Sequence, residues 1–274
     1  MNLLQIGLGV ILAAVAAVTA FRLKMLNHSG AVGAFLLGAV VFGTGGVRWA
    51  AVLLVFFISS SGLSRLFPRR KHPVEEKYAK GARRDAGQVA ANGAVAGMIA
   101  LLGGLLPGKP LPWLLFCAAF AAANADTWAT ELGVLNPGWP VSARTLKKVP
   151  PGTSGGVSLI GTLAAGAGSL LVAITGFLLW PVEVGTERKL AGLLVITVAG
   201  LAGSFIDSLL GATLQAIYWC PECRKETEQS PVHSCGTSTE LMRGYRWMTN
   251  DVVNAICTLW AVVITAIGWL LIVE

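Results

Sequence analysis

Five polar islands interrupt an otherwise apolar chain, and each carries residue types that bind metals or phosphates. Asp85, Gln88 and Asn92 stand at i, i+3 and i+7, on one helical face. Asn124, Asp126, Thr127, Thr130 and Glu131 crowd into "ANADTWATELG". Asp207, Gly211 and Gln215 follow an i, i+4, i+8 spacing in "GSFIDSLLGATLQ", and Asn250, Asp251 and Asn254 form a fourth group. The fifth is "RTLKKVPPGTSGGVS", where Lys147 and Lys148 precede Gly152, Thr153, Ser154, Gly155 and Gly156. Carboxylates and amides that converge on one wet cavity suit a hard divalent cation. Mg2+ takes oxygen ligands, keeps some of its waters and is often held by one or two carboxylates plus substrate phosphates. Asp126 and Asp207 are its expected ligands. Glycines ahead of an apolar run, with cations just upstream, suit an anion at a helix N-terminus, and Gly155 or Gly156 is expected to open that helix. The loop is not a Walker A sequence, because no Lys-Ser/Thr follows its last glycine. Its spacing also fits a plain connector between two apolar helices.

Arg83 and Arg84 adjoin the Gln88/Asn92 face and are phosphate candidates, since guanidinium binds phosphate in bidentate fashion. Arg69, Arg70 and Lys71, in the same loop, read instead as solvated and headgroup-facing. A separate cluster, Cys220-Pro-Glu-Cys223 and then His233-Ser-Cys235, offers four soft ligands within 16 residues. Both structural Zn2+ and unmetallated thiols fit that spacing. A disulfide is disfavoured there if the loop is cytoplasmic. Cys117 and Cys257 lie in apolar stretches and read as packing residues.

The elements that must position these groups are membrane helices. Of 274 residues, 54% are hydrophobic and only 13% charged, which excludes ordinary soluble domains. Apolar stretches near membrane-crossing length recur from end to end, so the expected fold is an all-α polytopic transmembrane bundle forming a single integral membrane domain. About eight spans are expected, near 3–21, 31–44, 47–63, 88–106, 111–132, 155–180, 190–218 and 250–273. Leu3–Phe21 lacks a basic leading region and a clear cleavage site, and reads as a retained span. Gly43-Thr-Gly-Gly46 fits either a tight turn between short helices or a break in a re-entrant pair. The 33 glycines suit close helix packing.

Loops 22–30, 64–87, 133–154 and 219–249 hold 17 of the 21 Lys and Arg residues, leaving Arg48, Lys109, Arg188 and Lys189 for the other side. The positive-inside bias puts those four loops in the cytoplasm and both termini outside, in a bacterial-type cytoplasmic membrane. Anionic headgroups account for the net charge of +7 without nucleic acid. On this topology every polar island lies toward the cytoplasmic ends of the helices. Caps and interhelical hydrogen bonds are the bland reading, and for Thr127, Thr130, Ser204 and Ser208 it is the preferred one. It suits Asp207 poorly, which sits more than about 10 Å inside a helix expected to end near Tyr218.

"RRDAGQVAANG", "ANADTWATELG", "PPGTSGGVSLIGT", "GSFIDSLLGATLQ" and "TNDVVNAICTL" together resemble blocks of one integral membrane family, from about residue 80 to the C-terminus. That family includes animal transmembrane protein 19 and the plant chloroplast phytyl-phosphate kinase of vitamin E synthesis. One departure is Gly87, where the family pattern leads us to expect a larger residue. The resemblance implies transfer of a phosphoryl group from a nucleoside triphosphate, CTP or ATP, to an isoprenoid monophosphate. Mg2+ would be shared with Asp126 and Asp207, and Arg83, Arg84, Lys147, Lys148 and the glycine-rich loop would neutralise charge. Two roles stay open for Glu131: orienting the attacking phosphate, or binding a second metal ion. The rivals are a lipid-phosphate transporter or flippase, a CTP-dependent kinase of a free isoprenoid alcohol, and a non-catalytic assembly factor docking through the cysteine loop. The one-sided polar groups count against transport, because the extracellular halves offer no continuing polar path.

Overall fold

The computed structural model describes residues 3–66 and 83–273, so most of the basic loop 64–87, with Arg69, Arg70 and Lys71, lies outside the described residues. The helices are α1 (Leu3–Arg22), α2 (His28–Leu63), α3 (Ala86–Leu105), α4 (Pro110–Gly133), α5 (Leu159–Leu178), α6 (Thr186–Thr213) and α7 (Asn250–Val273). Two small sheets interrupt them. β1 (Val141–Ser142) pairs antiparallel with β2 (Gly156–Val157). A second sheet has the order β4-β3-β5, with β3 (Ile217–Cys220) between β4 (Lys225–Thr227) and β5 (Glu240–Arg243).

Helix α2 is two antiparallel helices joined at Gly46. In a straight helix, Gly30 and Phe56 would stand about 39 Å apart. Yet Gly30 abuts the Arg84 backbone, and the Arg84 guanidinium lies 5.3 Å from the centre of the Phe56 ring. The reversal uses φ +73° at Gly46, a conformation that costs a residue with a Cβ. Gly43–Gly46 is thus a tight reversal between two helical halves. Counting the two halves of α2 separately, the described residues form eight helical segments. Helices α1, α2, α3, α5, α6 and α7 are long and apolar enough to cross a membrane.

The seventh helix in this set, α4, is central and packs against α2, α3, α5, α6 and α7. Apart from Leu115, every residue from Pro112 to Ala125 is buried. Its alanines admit close neighbours: Gly168 of α5 and Gly200 of α6 approach it so tightly that a Cβ would meet Asn124 or Ala121. The end near Pro110 is filled with aromatic rings. Trp49 lies 5.3 Å from Trp113 and 4.6 Å from Phe116, and Phe116 lies 5.1 Å from Phe120.

Polar interactions tie the bundle at a few points. Asn124 Nδ2 donates to the Gly168 carbonyl at 2.8 Å, and Ser59 Oγ donates to Asn124 Oδ1 at 2.9 Å. Ser169 Oγ donates to the Thr197 carbonyl at 2.9 Å. Thr127 and Ser208, expected to link helices, instead donate to Ala123 and Ser204 one turn back on their own helices. That choice is open to any hydroxyl within a helix, since the i−4 carbonyl is always in reach. Cys117 and Cys257 are buried in the packing, as their setting predicts.

Loops 22–27, 134–158 and 214–249 lie at one end of the bundle. Asn27 N donates to the Arg84 carbonyl, Arg84 N donates to the Met25 carbonyl, and the Arg65 guanidinium reaches the Leu23 carbonyl. The start of α1 and the end of α7 lie at the other end. Gln5 Nε2 donates to the Gly43 carbonyl there, and Trp269 of α7 packs 6.3 Å from Trp180.

Candidate functional site: an acidic cavity at the loop end

Helix caps set out the first wall of the site. Asp85 caps α3 through a capping box: its carboxylate accepts from Gln88 N at 2.9 Å, and Gln88 Oε1 accepts from Asp85 N at 3.1 Å. Gln88 thus spends its oxygen on the cap while still lining the cavity, and Asn92 follows one turn on, donating to the Gln88 carbonyl. Arg84 is held by its backbone bonds to Met25 and Asn27, and its guanidinium lies over the Phe56 and Phe57 rings. Burial lowers its pKa to about 10, an effect partly countered by Glu131, so it stays cationic at neutral pH. Glu131 Oε1 accepts from Ser64 Oγ at 2.6 Å.

The glycine-rich loop forms a second wall, but not as the helix start expected of it. Gly155 has φ +77°, and Gly156 belongs to β2, paired with Ser142. Helix α5 begins at Leu159, with Ser158 as its cap accepting from Gly161 N at 3.1 Å. The shift has a steric cause: the loop must press onto α6, where a Cβ at Gly155 would collide with Ser208 and Ala212. Gly152, Thr153, Ser154, Gly155 and Gly156 all line the cavity, and so do Ser158 and Gly161 at the N-terminus of α5. The positive end of a helix still faces the site, displaced by three residues.

Helix α6 ends at Thr213 rather than near Tyr218, since Ile217 and Tyr218 are drawn into β3. Asp207 therefore lies about 9 Å from the helix end. Gln215, buried past that end, joins two walls. It accepts from Ser154 Oγ at 3.0 Å and donates from Nε2 to Glu228 Oε1 at 2.8 Å. Arg243 of β5 completes the brace, donating to the Gly211 carbonyl at 2.8 Å.

These walls enclose a cavity of about 630 Å3. Asp126 and Asp207 both line it and lie close enough to interact directly. Asp207 Oδ2 is buried and has no hydrogen-bond partner among the described residues. Two adjacent carboxylates repel unless a proton or a cation sits between them, and an orphaned oxygen beside a second carboxylate fits a divalent ion. Glu131, Glu228, Asp251, Asn250 and Asn254 also line the cavity. Among the described residues, five carboxylates and one guanidinium, Arg84, thus border it.

Four of the expected residues stand elsewhere. Arg83, Lys147 and Lys148 are exposed and do not line the cavity. Asn124 is buried in the helix packing described above. Glu228 is a lining residue that sequence patterning did not single out. The readable signal was the Cys220–Cys223 pair, because a turn there returns Lys225–Thr227 alongside β3 and delivers Glu228 to Gln215. The four soft ligands themselves meet: Cys220, Cys223 and Cys235 Sγ and His233 Nδ1 all lie within 4.8 Å of one another.

Comparison with known proteins agrees with a membrane role. The chain is 32% identical over 281 residues to Protein PGR of Arabidopsis thaliana, covering 94% of both chains. It is 29% identical to an uncharacterised membrane protein of Methanocaldococcus jannaschii, over 78% of this chain and 85% of that one. It is 27% identical to Protein VTE6, chloroplastic, of Arabidopsis thaliana, over 84% of this chain and 61% of that one. No solved structure matches it. Residues 11–262, almost the whole bundle and its loop-end cavity, match the family described as integral membrane protein DUF92, and the chain belongs to that family.

Proposed function

We propose that this protein is a membrane phosphotransferase that moves a phosphoryl group from a nucleoside triphosphate, CTP or ATP, to an isoprenoid monophosphate. The observation that carries the proposal is the facing pair Asp126 and Asp207, with Asp207 Oδ2 unpartnered and the glycine-rich loop seated one turn away on α6. The resemblance of this chain's sequence blocks to the family that includes the plant phytyl-phosphate kinase supports the reaction class. An oxygen of the isoprenoid phosphate attacks the γ-phosphorus, its bond to the departing nucleoside diphosphate breaks, and that leaving group takes the electron pair. The attacking oxygen is already ionised, so no side chain need remove a proton.

Bound Mg2+ would screen the phosphate charges and stabilise those that develop in transfer. Asp126 and Asp207 would hold it. Arg84 is placed to orient a phosphate beside Glu131, and the loop 152–156 and the N-terminus of α5 offer backbone N–H groups to another. An apolar wall suits the isoprenoid chain. Ala165 of α5 and Leu201 and Phe205 of α6 line the cavity, and Phe205, at 45% exposure, borders both the cavity and the outer surface. On the charge bias of the loops, the cavity faces the cytoplasm, where nucleotide is supplied.

The test uses purified protein with Mg2+, phytyl or geranylgeranyl monophosphate and each of four nucleoside triphosphates, with the lipid product read by mass spectrometry. Diphosphate is expected with at least one triphosphate, and Asp126→Asn or Asp207→Asn should lower turnover by about 10³-fold or more without loss of folded protein. Full activity in both variants would sink the metal assignment. No diphosphate from any triphosphate, with lipid phosphate crossing liposome bilayers instead, would favour the transporter.

A further inference from the structure

The loop 217–243 contains a group that the phosphotransfer site does not use. Cys220 Sγ lies 3.6 Å from Cys235 Sγ, Cys223 Sγ lies 3.6 Å from His233 Nδ1, and His233 Nδ1 lies 3.2 Å from Cys235 Sγ. Ligands at ordinary zinc distances in a tetrahedron stand about 3.8 Å apart for two sulfurs and about 3.5 Å for sulfur and nitrogen. The two pairs come from two tight turns. Cys223 N donates to Cys220 Sγ at 3.5 Å, and Arg224 follows with φ 52°. In the other turn Cys235 N approaches His233 Nδ1 at 3.4 Å, so that nitrogen presents its lone pair. A disulfide does not explain the arrangement, because all four groups converge and the three sulfurs are unbonded.

We propose that Cys220, Cys223, His233 and Cys235 bind one structural Zn2+, which holds the β3–β4–β5 sheet in place as a wall of the cavity. Three thiolates and an imidazole are a closed zinc set, leaving no open position for chemistry. The sheet needs such a staple. Within 217–243 only Ile217, Cys220, Thr227 and His233 are buried, far too little apolar surface for so short a segment to hold itself together. The same segment supplies Tyr218 and Glu228 to the cavity lining and braces Gly211 and Ser154 through Arg243. The zinc ligands are thus positioning residues for the cavity, and metal content reads them independently of any turnover.

The full chain, purified in detergent under reducing conditions without chelator, is expected to carry about one zinc per chain by elemental analysis. Cys220→Ser and Cys223→Ser should each lower that at least about fivefold, whereas His233→Cys, which keeps four ligands, should retain it. On wild-type protein, titrating thiols with a mercurial should release the zinc to a colorimetric dye and open Arg224 and Lys225 to trypsin. This second measurement needs no variant to fold. Wild-type protein that carries no zinc and takes none up when supplied with it overturns the proposal. A Cys220–Cys235 disulfide in freshly purified protein, or zinc retained in both serine variants, does so equally.

Discussion

Asp126, Glu131, Asp207, Glu228 and Asp251 give the cavity an excess of negative charge over Arg84, although the proposed substrates are themselves polyanions. On the proposed reaction, divalent cations would have to arrive with the phosphates, because two sets of anions repel in one low-dielectric pocket. The charge balance also reassigns the cations. Lys147 and Lys148 stand outside the cavity, exposed on the β1–β2 connection, where headgroups or solvent can take their charge. Replacing both with alanine should leave kcat/KM within about threefold of wild type, since exposed charges are screened. Arg84→Lys should cost about 10²-fold or more, because an ammonium cannot reproduce the planar, bidentate fork over Phe56. Steady-state kinetics at fixed salt separates the two cases, and equal losses would restore the loop lysines to the site.

At the scale of elements, the site depends on where helices stop. Helix α6 ends at Thr213 and α5 starts at Leu159, and the short β segments that precede α5 and follow α6 bring Gly156, Val157 and Tyr218 into the cavity lining. Gly155 is the joint: positive φ and contact with the α6 backbone both exclude a side chain. Gly155→Val should therefore weaken nucleotide affinity by about tenfold or more while leaving helical content and membrane insertion unchanged. Isothermal titration alongside circular dichroism checks both halves of that expectation, and unchanged affinity would make the loop a connector only. The packing of α5 against α6 sets a second limit. Ala165→Phe would fill the apolar wall, and activity should fall more steeply for a twenty-carbon isoprenoid phosphate than for a five-carbon one. A product assay with both substrates reads the ratio, and an equal loss on each would remove the chain from that wall.

The whole molecule divides into a wet end and a sealed end. None of the cavity's lining residues comes from the aromatic layer of Trp49, Trp113, Phe116 and Phe120, so the polar path stops near Asp126. Such an arrangement suits a reaction at one membrane surface better than passage through it. Much of this was legible beforehand. Apolar length and the loop cations announced the helices and their common end, because hydrocarbon enforces both rules on every segment alike. The island residues Asp126, Asp207, Gln88, Asn92, Asn250 and Asn254 were legible for the same reason: polar side chains inside spans are expensive and rarely idle. Composition and spacing alone thus established the helical membrane fold and which carboxylates had to answer for their cost. It took the packed chain to show that α2 folds back at Gly46, that Asn124 ties helices together, and that Glu228 lines the cavity while Arg83, Lys147 and Lys148 stay out. Those outcomes hang on close approaches between segments far apart in the chain, and no local spacing encodes which loop will meet which helix.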